Sequence, residues 1–221
     1  MSESRGVAMN ARLLPAALIV FGLIPLIANG LRRAAQATGA AGTAPGEGSG
    51  MSLPVLLHVI GATVFVVLGA LQFSVRLRRR RPEWHRTAGR LAILAALLAV
   101  VSGIWLAFEA RSSAGALLFT LRLLAASALA LFVALGFRAI RHRRLPRHRA
   151  WMIRAYAIGL GAATQVFTLG FGQELFGRGE LAVALLNGAG WAINLVVAEW
   201  AIRRAGHQVD RSATRATVVL R

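Results

Sequence analysis

The sequence predicts an all-α, polytopic integral membrane protein with six transmembrane helices, and three observations predict it. The chain of 221 residues is 57% hydrophobic with a mean hydropathy of +0.61, yet only 15% of its residues are charged. A soluble domain of this length usually carries about 25% charged residues. The apolar residues gather into six runs, each near the length of about 20 residues that a helix needs to cross the hydrocarbon core. The basic residues, all 26 of them arginine, gather mostly between alternate runs.

The six runs are Leu13–Leu31, Leu53–Val75, Leu91–Phe108, Ala114–Phe137, Ala155–Gly172 and Leu181–Ile202. They divide the chain into an N-terminal tail (1–12), a bundle (13–202) and a basic C-terminal tail (203–221). The first run has some features of a cleaved signal, with Arg12 before it and small residues at Ala35-Gln36-Ala37 after it. It is longer than the usual apolar region of about 7–15 residues, and Arg32 and Arg33 interrupt the way to that site. A retained helix is the expectation. Pro15 and Pro25 lie inside it, which membrane helices tolerate when neighbours satisfy the freed backbone groups. Residues 32–52 read as a Gly/Ala/Ser/Thr-rich loop.

Arginine sets the expected orientation. With both ends on one side, that side holds 21 arginines against Glu3, Glu83 and Asp210. The other side holds Arg32, Arg33, Arg111 and Arg178, balanced by Glu47, Glu109, Glu174 and Glu180, while Arg122 and Glu199 stay within the bundle. The whole net charge of +18 therefore falls on one face. Short basic loops remain cytoplasmic during insertion, so both termini are expected in the cytoplasm of a bacterial cell, with the helices in its inner membrane. The same charge could mark a nucleic-acid binder, but its placement is that of a topology signal, and anionic lipid headgroups are the expected partners. No nucleic-acid partner is expected.

Two basic loops resemble each other. Pro82-Glu-Trp-His85-Arg86-Thr-Ala-Gly89-Arg90 and Pro146-Arg-His148-Arg149-Ala-Trp151-Met152-Ile-Arg154 each place a proline, then His-Arg, then a further arginine at the start of an apolar run. The spacing of 63 residues between the histidines hints at an internal repeat of helices 2–3 and 4–5. His85, Arg86, Arg90, His148, Arg149 and Arg154 form a candidate anion or headgroup site, because helix starts offer free N–H groups and a positive dipole end.

These loops, with His58…Gly69-Ala-Leu-Gln72-Phe73 before them and Ala155-Tyr156 after them, resemble a bacterial family of predicted membrane proteins, domain of unknown function 2306. The resemblance covers about residues 53–172. It implies a polytopic membrane protein without an established activity, and brings no catalytic residue with it. One departure concerns Thr164-Gln165, where the family pattern leads us to expect an arginine.

Inside the bundle, His58, Gly61, Ala62, Phe65, Gly69 and Gln72 share one helical stripe, which should face the interior. Arg122 sits about 12 Å into its helix and calls for a partner. Glu109 is the favoured one over Glu174 and His58, so His58, Arg122 and Glu109 make a second candidate, an outward-facing polar pocket. Asn187 and Asn194 share a face of the last helix with Gly190 between them and read as interhelical hydrogen-bonding groups. Glu199 stands alone near that helix's far end.

The absence of cysteine excludes disulfides, iron–sulfur clusters and thiolate zinc sites, and the absence of lysine excludes Schiff-base chemistry. The serine-hydrolase elbow, the zincin motif and the P-loop are all missing. No catalytic or metal-binding residue is expected, and a lipid-interacting, assembly or regulatory role ranks first. The alternatives are a small-solute transporter and a haem- or quinone-binding redox protein. No cofactor is assigned; His85 and His148 are weak candidates for haem ligation, since they lie at helix starts rather than deep within helices.

Overall fold

The structure is a computed structural model that describes the backbone of residues 2–37 and 51–219, and the side chains of residues 13–35 and 51–206. The glycine-rich part of the expected loop, 38–50, lies outside the described residues, as do the side chains of most of both expected tails. Among the described residues there are helices and no strands. They are α1 (Ser2–Ala37), α2 (Leu53–Gln72), α3 (Val75–Arg80), α4 (Pro82–Glu109), α5 (Arg111–Ala114), α6 (Ala116–Arg141), α7 (Leu145–Gly159), α8 (Gly161–Phe176) and α9 (Glu180–Val219). Regular helix thus runs into both segments that the sequence assigned to tails.

Five helical stretches are long and apolar enough to cross a membrane: Leu13–Ala35, Leu53–Gln72, Pro82–Glu109, Ala116–Arg141 and Glu180–Gly206. The other expected span, Ala155–Gly172, is divided at Leu160 between α7 and α8, of 15 and 16 residues. Gly159 and Gly161 flank the division, and glycine holds helical backbone poorly. Ala163 and Thr164 N–H both turn to the Leu160 carbonyl, at 3.0 and 3.4 Å. The Ala157 carbonyl takes its hydrogen bond from Asn194 Nδ2 of α9, at 3.1 Å. Side chains of neighbouring helices fill the space the two glycines leave: the Phe65 ring lies over Gly159 and the Trp191 ring over Gly161.

The bundle packs as a membrane protein does, with small residues inside and large ones outside. Its core joins Ala92, Ala95, Ala96, Ala125 and Ala155 to a few larger groups, among them Phe65, Val66, Leu129, Val133 and Tyr156. Leu94, Val101, Leu124, Phe171 and Val196 are more than 60% exposed and face outward. Small residues let helical backbones approach, which compensates for the missing hydrophobic drive between helices in lipid. The α2–α4 contact is the clearest case. A Cβ on Gly61 would lie 2.8 Å from Ala99 N and 2.9 Å from Ala95 O. The expected interior stripe of α2 is there: Gly61, Phe65 and Gly69 are buried.

Around this pair, α6 packs on α4 and α7, α9 packs on α6, α7 and α8, and α1 lies against α2 and α8. Phe21 of α1 stacks on Phe167 of α8, with ring centroids 6.2 Å apart. Tyr156 ties α7 to α2 by donating to Val66 O at 3.0 Å. The tight turn between α6 and α7 places Arg143 in the left-handed region (φ 57°). Arg144 N–H then reaches back to Ala139 O at 2.9 Å, and Arg143 N–H to Ile140 O at 3.0 Å. This is the usual double bond of a helix end, with arginine where glycine is common.

Candidate functional site

The short helix α3 sits between α2 and α4 because Ser74 caps it, its Oγ accepting from Leu77 N–H at 3.3 Å. Three arginines, Arg78 to Arg80, fill its last turn. Arg81 then precedes Pro82, and Arg144 precedes Leu145-Pro146, so α4 and α7 start alike with proline in the first turn. His85 and His148 are each the fourth residue of their helix. Their N–H groups close the first helical turns, onto Arg81 O at 3.1 Å and Arg144 O at 2.9 Å.

The fold brings the two histidine loops to one end of the bundle. His85 lies within Coulombic range of His148, and also of Arg78 and Arg86. His148 Nδ1 is 2.8 Å from Gly136 O of α6. A carbonyl only accepts, so Nδ1 carries the proton and Nε2 is left for another partner. His85 has no such tie. Its Nδ1 is buried and has no hydrogen-bond partner, and the same is true of Gln72 Nε2 at the end of α2. Gln72 lies over Gly89, one turn beyond His85 on the same face of α4; a Cβ there would be 3.4 Å from Gln72 Oε1. Two buried, unpaired polar atoms thus lie on neighbouring helices at the arginine-rich end of the bundle. Each costs about 1–3 kcal/mol when left without a partner.

The other members of the expected headgroup site divide. Arg86, Arg90 and Arg149 are exposed and form no ion pair among the described residues. Arg154 turns away. Its Nε and Nη2 donate to Glu199 Oε1 and Oε2 of α9, at 2.5 and 2.9 Å. Its guanidinium also lies over the Trp151 ring, 4.7 Å from the centroid, and Trp151 stacks on Phe132 of α6. Glu199 therefore does not stand alone. It anchors the end of α9 to α7, a pairing across 45 residues that nothing local in the sequence announces.

The expected outer pocket does not assemble through hydrogen bonds or ion pairs. His58 Nδ1 is 3.0 Å from Ala99 O of α4 and 3.4 Å from Ser102 Oγ, whose own proton goes to Leu98 O at 2.6 Å. Arg122 is half-buried on α6, and no ion pair joins it to Glu109, Glu174 or any other described residue. Glu109 is exposed at the end of α4, and Glu174 pairs with Arg178 at 3.1 Å on the surface. Asn194 acts between helices, accepting from Thr164 Oγ1 at 2.7 Å and donating to Ala157 O at 3.1 Å. The Asn187 side chain does not: its Nδ2 donates to Val183 O of its own helix at 2.8 Å, and only its backbone carbonyl accepts across helices, from Gln165 Nε2 at 2.9 Å. Neutral hydrogen bonds thus occupy the place where the family resemblance led us to expect an arginine.

Among the described residues no group of three or more His, Cys, Asp or Glu is placed to hold a metal ion. A scan of protein families gives one match, described as a predicted membrane protein, DUF2306, over residues 55–202. The chain belongs to the predicted membrane protein family DUF2306. The match spans α2 to α8 and the apolar part of α9, so this DUF2306 member carries Gln72, His85, His148 and the Arg154–Glu199 pair within the family region. No curated protein and no solved structure matches the chain.

Proposed function

We propose that this chain is a multi-pass protein of a bacterial cytoplasmic membrane, with both termini in the cytoplasm. On this reading it holds anionic lipid headgroups at its basic end, in a lipid-interacting, assembly or regulatory role rather than a catalytic one. In that orientation α7 and α8 together make the sixth crossing. The observation that carries the reading is the convergence of the two arginine loops, with His85 in Coulombic range of Arg78, Arg86 and His148. Most of their arginines are exposed and without carboxylate partners among the described residues, so their counter-charge comes from outside. Lipid headgroups lie at that level of a bilayer and attract about 1 kcal/mol per arginine near the surface.

Native mass spectrometry of protein extracted in mild detergent tests this. The protein should retain anionic lipid over zwitterionic lipid, with retention falling as salt rises. Replacing the exposed Arg79, Arg80, Arg147 and Arg149 with glutamine should remove most of the preference. Equal retention of both lipid classes by the unaltered protein would overturn the reading.

A second reading is favoured by one observation, the approach of His85 to His148 with His148 Nδ1 fixed on a carbonyl, an arrangement that histidine ligands of metals often share. It is haem held between these two side chains. An absorption spectrum with and without dithionite decides it: a stoichiometric Soret band, lost in His148→Ala, would establish haem there.

A further inference from the structure

Polar side chains inside this bundle are almost all hydrogen-bonded, most of them to backbone carbonyls. Thr164, Gln165, Thr168, Asn187 and Asn194 each donate a hydrogen bond of 2.7–3.1 Å across or along the helices. His58, Ser102 and Tyr156 are bonded as well. Against that background the two unpaired buried atoms, Gln72 Nε2 and His85 Nδ1, are exceptions. They come from neighbouring helices: Gln72 at the end of α2 lies over Gly89, one turn along α4 from His85.

The chemistry of the pair narrows what could complete it. The Gln72 amide nitrogen only donates, so its missing partner is an acceptor, and His85 Nδ1 can donate to the same acceptor when it carries the ring proton. Arg78 and Arg86 lie close enough to His85 to act on it with their positive charge, and neither is paired with a carboxylate among the described residues. A water molecule would meet the hydrogen-bonding need and leave that charge unanswered. An oxyanion meets both, taking N–H bonds on one side and guanidinium charge on the other.

We propose that Gln72 and His85, with Arg78 and Arg86 beside them and His148 opposite, form a discrete site for one phosphate group beneath the basic surface. This rests on the headgroup reading only for the source of the phosphate, which a lipid headgroup or free phosphate can supply. The exposed arginines attract anionic lipid in general; the buried pair binds one phosphate and sets which headgroup is kept.

The test uses the full chain in nanodiscs of phosphatidylcholine doped with phosphatidylglycerol, and separately in detergent titrated with inorganic phosphate. The probes are native mass spectrometry for lipid and phosphorus nuclear magnetic resonance for phosphate. Gln72→Glu places a carboxylate where the oxyanion sits and should weaken binding at least about tenfold, as should His85→Phe. Gln72→Met, which keeps the size of the side chain and removes its whole amide, covers the event that Gln72→Glu fails to fold. Arg79→Gln with Arg80→Gln should lower general lipid retention and leave the single tight phosphate in place. A shift with inorganic phosphate that Gln72→Met abolishes supports the site with free phosphate as ligand; a tightly held phosphatidylglycerol that Gln72→Met releases supports it with lipid as the source. Loss of general retention in the arginine variant with no effect of Gln72→Met or His85→Phe overturns the buried site and leaves the surface reading standing. The opposite pattern keeps the site and removes the surface reading.

Discussion

At the scale of single residues, the packing of this bundle depends on side chains that are missing. Gly61 is the sharpest case, because the atoms a methyl group would meet are backbone atoms of α4 and cannot rotate away. Gly61→Ala should therefore push α2 off α4 and destabilise the protein by about 1–3 kcal/mol. Gly170 on α8 has nothing within 4 Å of its would-be Cβ, so Gly170→Ala is the control. There alanine's helix preference should leave stability unchanged or raise it by up to about 1 kcal/mol. Thermal unfolding in detergent compares the two, and equal melting temperatures would show that the close α2–α4 approach is not maintained. That Gly61 faces the interior is legible from its stripe with His58, Phe65 and Gly69. That His58 bonds the Ala99 carbonyl rather than Arg122 is not, because a histidine's choice between a backbone carbonyl and a charge depends on which helix lies beside it.

At the scale of elements, five of the six expected spans were legible because a chain in lipid must satisfy its backbone within helices. The division of α7 from α8 was not. Hydropathy treats Gly159-Leu160-Gly161 as a tolerable stretch of span, while the structure replaces its lost backbone bonding with Asn194 of α9. The partner of Glu199 was hidden for a similar reason: Arg154 reads as one more basic-loop residue until α7 and α9 are known to be neighbours. The Arg154–Glu199 contact is bidentate and half-buried, with side chains 22% and 35% exposed, so solvent screens it in part. A double-mutant cycle with Glu199→Gln and Arg154→Gln should return a coupling of about 1 kcal/mol. Arg154→Gln should cost more than Glu199→Gln, since it also gives up the Trp151 ring. Strictly additive costs would mean that α7 and α9 are held by apolar packing alone.

At the scale of the whole molecule, charge and packing agree on which groups share an end. The Arg76–Arg90 and Arg138–Arg154 segments meet at His85 and His148, and Glu199 brings the end of α9's apolar stretch to the same place through Arg154. Arg111 and Glu109 lie at the other end of α4, where α5 and Gly115 turn the chain into α6. If arginine distribution governs insertion, the end holding His85 and His148 is cytoplasmic and the α4–α6 turn is not. The absence of cysteine makes this directly measurable, because a single introduced thiol has no background. Ser112 and Arg143 are both exposed, one in each turn. In intact cells, with any outer membrane made permeable, a membrane-impermeant maleimide should label Ser112→Cys and leave Arg143→Cys unlabelled until the inner membrane is opened. On that reading Arg143 is one of 21 arginines expected on the cytoplasmic side, so its loss leaves the expected charge asymmetry nearly intact, and Ser112→Cys leaves it unchanged. Labelling of Arg143→Cys but not Ser112→Cys in sealed cells would invert the topology. It would then place the buried phosphate site on the outer face, where the lipid and solute partners differ, and the headgroup reading would have to be abandoned with it.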